Sequence, residues 1–156
     1  MKLAVVAVGR RAPAWVEAAC ADYLGRFDRS VQLTLHAVAE VRRAGAADAA
    51  RARAAESTRL LEAAPAGSTR VLCDVGGTAL ACEAFAARLA RDGAHGAVTI
   101  LIGGADGVDE RVRAAAAWRW SLSALTLPHY LARVVVVEQL YRAYSLWRGL
   151  PYHRAH

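Results

Sequence analysis

Leu3 to Val8 is an unbroken apolar run, the pattern of a strand buried on both faces. Pro13 then opens a helix, where proline suits a first turn. Trp15, Ala19, Tyr23 and Phe27 recur every four residues, which predicts a buried stripe along that helix. Val31, Leu33 and Leu35 alternate with Gln32, Thr34 and His36 and predict a second strand. Residues 40–46 are polar, arginine-containing and broken by glycine, hence a loop. Asp48 to Ala64 has helical spacing with an exposed face of arginine and glutamate, stopped by Pro65 and Gly67. Arg70 to Val75 predicts a third strand ending at Gly76-Gly77, and a helix follows over roughly 81–92. Ala97 to Ile102 is wholly apolar and predicts a central strand. A short helix around 109–117 leads to a fifth strand, Trp118 to Ser121.

The last periodic segment, about Tyr130 to Trp147, contains Val134-Val135-Val136-Val137, a run with strand propensity. Glu138, Gln139, Arg142 and Arg148 are spread through an apolar stretch too long for one strand, so it reads as a helix apolar on most sides. Such a helix is buried all round or packed on another subunit, and a homodimer interface is the preferred reading over a plain core helix. Strand and helix alternate along the whole chain, which gives an α/β domain with a mostly parallel sheet and helices on both faces. With no repeat, low-complexity tract or linker, residues 1–156 form one domain.

Composition narrows the class. Hydrophobic residues are 56% and charged residues 22% of the 156, which is globular and not disordered. No apolar stretch reaches membrane-spanning length. Arg10-Arg11 stands where a signal peptide would carry small residues, so the apolar start is a strand rather than a leader. Cys20, Cys73 and Cys82 have neither pairing nor metal spacing, and read as buried free thiols in a reducing cytoplasm. The net charge of +6 suits a polyanion such as RNA, although Lys2 is the only lysine and an arginine bias also follows from base composition.

Ligands of parallel α/β sheets bind at the carboxyl ends of strands. Three such ends are unusual here: Leu72-Cys73-Asp74-Val75-Gly76-Gly77, then Gly103-Gly104-Ala105-Asp106-Gly107, then Leu122-Ser123-Ala124-Leu125-Thr126-Leu127-Pro128-His129. The glycines alone fit a tight turn as well as a ligand loop, and the dinucleotide fingerprint is missing, which disfavours an oxidoreductase. The segment 122–127 is apolar and irregular, and its backbone groups would suit a ligand with both apolar and hydrogen-bonding edges, such as an adenosine. After the last helix, Pro151-Tyr152-His153-Arg154 sets a phenol, an imidazole and a guanidinium in a row.

Taken in order, the glycine loop, the 122–129 segment, Arg133-Val134, Glu138-Gln139-Leu140-Tyr141-Arg142-Ala143 and Tyr152-His153-Arg154 resemble the RlmH-type ribosomal RNA methyltransferases of the SPOUT class. The opening Met1-Lys2-Leu3 through Gly9 is similar as well, so the resemblance spans the chain. It implies a C-terminal trefoil knot, a homodimer built across it, S-adenosylmethionine as methyl donor, and N3 of a pseudouridine in large-subunit (23S) ribosomal RNA as target. It also implies a cofactor pocket made of Cys73, Gly103, Gly104 and Leu122, Ser123, Ala124, Leu125, Thr126 and Leu127, much of it through backbone. Cys73 stands where the family carries leucine. The tail Tyr152, His153 and Arg154 would reach the target base, while Ala155 and His156 extend past the point where relatives often stop.

The chemistry fits those residue types. Methyl transfer is an in-line displacement governed by alignment. The nitrogen must lose a proton, for which His153 or His129 is the candidate base. Arg154, with Arg142 behind it, could stabilise negative charge developing on the ring. Tyr152 could stack on the base or hydrogen-bond to it. No cluster of His, Cys, Asp and Glu has metal-ligand spacing, so no catalytic metal is expected. Two readings stay open beside this one: a SPOUT-type enzyme acting on another RNA, and a ribosome-binding module without catalysis.

Overall fold

The alternation of side chains along β1 (Lys2–Val8) sorts the interior into two layers. Leu3, Val5 and Ala7 join one buried cluster and Val6 and Val8 the other. This computed structural model describes residues 1–154, so Ala155 and His156 lie outside the described residues. With β2 (Gln32–Val38), β3 (Thr69–Ala79), β4 (Val98–Ile102) and β5 (Trp118–Ser121), β1 forms a five-stranded sheet in the order β2-β1-β4-β3-β5. Every pairing is parallel. The expected central strand is central: β4 lies between β1 and β3 and all of its residues are buried.

Helices α1 (Ala14–Leu24), α2 (Ala49–Ala63), α3 (Cys82–Gly93), α4 (Glu110–Ala115) and α5 (His129–Trp147) cover the sheet. Residues of α3 and α5 pack with Leu3, Val5, Ile100 and Ile102 on one face, where Phe85 stacks on Trp120 at 3.9 Å between ring centroids. Residues of α2 and α4 pack with Val6, Val8, Leu72 and Leu101 on the other. The fold is therefore the α/β, two-layer-covered parallel sheet read from the sequence. No described helix is long and apolar enough to cross a membrane.

The valine run is helical, and its apolar sides are largely used within one chain. Val136 and Leu140 enter the sheet core, and Val137 packs with Val16 and Cys20 of α1. Gly149, with φ 65°, ends α5 in a Schellman arrangement: Leu150 N–H donates to Ser145 O (2.8 Å) and Gly149 N–H to Leu146 O (3.2 Å). This turn sends Pro151–His153, a 3-10 turn, back along the helix.

Three expectations are corrected. The buried line of α1 is Val16 and Cys20, whereas Trp15 is 56% exposed and Tyr23 and Phe27 are only partly buried. Smaller side chains allow α1 to approach α5 closely. Second, β3 does not end at Gly76-Gly77. Its pairing with β5 shifts between Cys73 and Thr78 and resumes as far as Ala79. Gly77 makes that bulge feasible, because a Cβ there would sit 2.6 Å from the Arg119 carbonyl carbon. Third, the charged face of α2 is not wholly exposed: Glu56 is buried against Arg43 of the preceding loop. Of the three thiols only Cys20 is fully buried, Cys73 and Cys82 being half-buried.

Candidate active site

A cavity of about 510 Å³ opens beside the carboxyl ends of β4 and β5 and the bulge of β3, a size typical of small-molecule sites. Its floor follows from β4: the strand is buried to Ile102, and Gly103-Gly104 then turn the chain out of the sheet. The wall opposite is residues 122–127, between β5 and α5. Ser123 organises this irregular stretch, its hydroxyl oxygen accepting from Leu125 N–H (2.9 Å) and its carbonyl accepting from Ser121 Oγ (3.1 Å). Pro128 then starts α5, whose first residue His129 also faces the cavity.

Of the residues assigned to a cofactor by resemblance, Cys73, Gly103, Gly104, Leu122, Ser123, Leu125, Thr126 and Leu127 line this one space. Ala124 does not line it and is exposed. Burial, reinforced by the charge of Asp74, pushes the Cys73 thiol well above the ordinary cysteine range, so it is not a thiolate nucleophile near neutral pH. His129 has a buried Nε2 without a hydrogen-bond partner, and its ring lies 4.2 Å from that of Tyr130. Burial lowers its pKa, with Glu40 pulling the other way, so the imidazole is neutral near pH 7.

The remaining candidates gather elsewhere. Arg142, Tyr152, His153 and Arg154 do not line the cavity. Tyr152 donates its hydroxyl proton to Glu138 Oε1 (2.9 Å) and accepts from Tyr23 Oη (3.0 Å). Its ring packs edge-on against Tyr141, 4.8 Å between centroids. Arg142 pairs with the same Glu138 carboxylate (2.5 Å) and lies 5.0 Å from the centre of the Tyr152 ring. Burial, then the Tyr23 and Glu138 hydrogen bonds, push the Tyr152 pKa well above that of a free phenol, so it keeps its proton. His153 is half-buried with Nδ1 unpartnered, and Arg154 is exposed. Glu138 follows His129 by nine residues, which is about 14 Å of helical rise and about half a turn around the axis. Within one chain the tail and the cavity therefore occupy different faces of α5.

Residues 1–153 match the family described as predicted SPOUT methyltransferase. The chain belongs to that family. Among its curated relatives are proteins named ribosomal RNA large subunit methyltransferase H. That of Thiobacillus denitrificans is 44% identical over 155 residues, 99% of each chain. That of Verminephrobacter eiseniae is 48% identical with the same coverage. That of Coxiella burnetii is 41% identical over 99% of this chain and all of its own.

In this SPOUT methyltransferase several charged residues to which the sequence analysis gave no role stand at or beside the cavity. Asp74 and Arg113 line the cavity and pair with each other, Nε to Oδ2, at 3.6 Å. Arg119 approaches the same oxygen at 3.2 Å. Arg133, 4% exposed, donates from Nη2 to the carbonyls of Val8 (2.9 Å) and Gly9 (2.8 Å), fixing the start of α5 to the end of β1. An arginine inside an apolar helix was the available signal, since such a charge needs partners. Among the described residues no three of His, Cys, Asp and Glu come together as a metal would need.

Proposed function

We propose that this protein methylates N3 of a pseudouridine in large-subunit ribosomal RNA, with S-adenosylmethionine as donor, acting as a knotted homodimer in the cytoplasm. The observation that carries the reading is one cavity walled both by the glycine loop and by residues 122–127. Its volume of about 510 Å³ is of the order a nucleoside-sized ligand needs, and Leu122, Leu127 and Ile102 line it beside Gly103, Gly104 and Gly107. The names of the near-full-length relatives support ribosomal RNA of the large subunit as the substrate class.

S-adenosylmethionine in this cavity supplies an electrophilic methyl carbon and a neutral thioether leaving group. Cys73, Gly103, Gly104 and residues 122–127 would hold it, mainly through backbone and aliphatic contact. The chain's own task is to align the nitrogen and to take its proton. His129 at the cavity and His153 in the tail are the two proton acceptors in this reading. Arg154 stabilises the negative charge on the pyrimidine ring as the N3 proton departs, with Arg142 behind it.

Tyr152 anchors the tail, because its hydroxyl is committed to Glu138 and Tyr23. In this reading a second copy brings its tail to the cavity, which the tail of one chain does not line. Val75 and Leu125, exposed apolar side chains at the cavity, would be covered in part by whatever enters it.

Calorimetry with S-adenosylmethionine, followed by methyl transfer to ribosomes, tests the reading. Saturable binding to the wild type, lost in Thr126→Trp, is expected, and the modified base is then sought in large-subunit RNA. Binding that survives Thr126→Trp unchanged would remove the cofactor from this cavity.

A further inference from the structure

Glu56 of α2 is a buried carboxylate, 1% exposed, that takes no part in the proposed methyl transfer. A carboxylate held away from water needs charged or hydrogen-bonding partners. It has them in the loop before α2. Its Oε1 accepts from Val41 N–H (2.9 Å) and its Oε2 from Arg43 Nη2 (3.2 Å), with Arg43 Nη1 also 3.2 Å from Oε1. Arg43 does not stop there. Its Nε donates to Asp106 of the cavity loop, and its Nη1 to Val41 O (2.9 Å). One planar guanidinium thus joins three segments distant in sequence, a task its rigid fork of donors suits.

The loop depends on such ties. Gly103, Gly104 and Gly107 give it few side-chain contacts and much backbone freedom. Its one internal turn is Gly107 N–H to Gly104 O (3.0 Å). Beyond it, the buried Ser57 of α2 accepts from Asp109 N–H (2.9 Å). A Cβ on Gly104 would lie 2.6 Å from Glu56 Oε2, so glycine there makes room for the carboxylate as well as bordering the cavity.

We propose that Arg43, Glu56 and Asp106 form a charged latch that holds the Gly103–Gly107 loop in the shape that receives the cofactor. They are positioning residues: none of the first two touches the cavity, and Asp106 acts through its pairing with Arg43. The inference rests on the reading of the cavity as the S-adenosylmethionine site.

The test uses Arg43→Gln, Asp106→Asn and the double variant, with Arg51→Gln of the exposed Arg51–Asp48 pair as control. Hydrogen exchange of residues 103–109 is measured in the free protein, and S-adenosylmethionine affinity by calorimetry. Each latch variant should speed exchange of that loop about tenfold, with β4 and the rest of α2 unchanged. Each should weaken affinity about tenfold, and the double variant should be no worse than the weaker single one, because both remove the same link. Arg51→Gln should change neither quantity. Unchanged loop exchange, or faster exchange with unchanged affinity, would overturn the proposal. If the wild type shows no affinity while the exchange pattern is as expected, the latch stands and the cofactor reading alone is overturned.

Discussion

At its first turn α5 borders a cavity walled by glycines and aliphatic side chains; from its middle to its end it carries phenols, a carboxylate and guanidinium groups. The first region is a concave space lined by glycine backbone and aliphatic side chains. The second is a hydrogen-bonded network that fixes the returning tail, with Glu138 receiving both Tyr152 and Arg142. The contrast teaches that the cavity and the tail network lie on two surfaces of one helix, about 14 Å apart along its axis. A complete site of the proposed kind needs both.

Perturbing each region separately should split the two functions. The largest effect is expected from Thr126→Trp, which fills the cavity: S-adenosylmethionine affinity, read by calorimetry, should fall more than about 1,000-fold, with the unfolding midpoint unchanged. Next, His153→Ala and Arg154→Ala should each lower the turnover of ribosome methylation about 100-fold while leaving cofactor affinity intact. A loss of affinity in either would erase the distinction between the regions.

Tyr152→Phe sharpens the contrast at smaller scale. It removes the hydrogen bond to Glu138 and should destabilise the chain by about 1 kcal/mol in denaturant unfolding, with turnover reduced and cofactor affinity unmoved. The smallest effect is a pH dependence at the cavity end. Burial holds the folded-state pKa of His129 below its ordinary 6.5. The unfolded chain therefore takes up that proton first, so the contribution to stability is full above about pH 6.5 and declines as pH falls through that region. Unfolding midpoints from pH 8 to pH 5 should fall less steeply in His129→Gln than in the wild type.

Two walls of the cavity were visible in the sequence as unusual local runs, a glycine-rich turn after an apolar strand and an irregular apolar segment before Pro128. The glycines alone fit a plain turn as well, and it was the family resemblance that joined the two runs into one pocket. What was illegible depends on pairs distant in sequence. Glu56 has the spacing of a solvent-facing helix position, and only Arg43 and Gly104 explain its burial. Gly76-Gly77 has the composition of a strand end, yet the β3–β5 pairing resumes across it because Gly77 tolerates the backbone of Arg119. In α1, a four-residue spacing of aromatics marks a line as readily as the smaller Val16 and Cys20 do, and close packing on Val137 selects the latter. The tail residues were conspicuous by type, but their separation from the cavity is a matter of helix length and of the turn at Gly149.

The most direct test of this division uses a heterodimer with two affinity tags, one subunit carrying Thr126→Trp and the other His153→Ala and Arg154→Ala. If the tail of one copy serves the cavity of the other, this species holds one intact site and should methylate ribosomes at about half the wild-type rate, although each parent homodimer is inactive. A heterodimer as inactive as its parents would contradict the account, because cavity and tail would then have to work within a single chain.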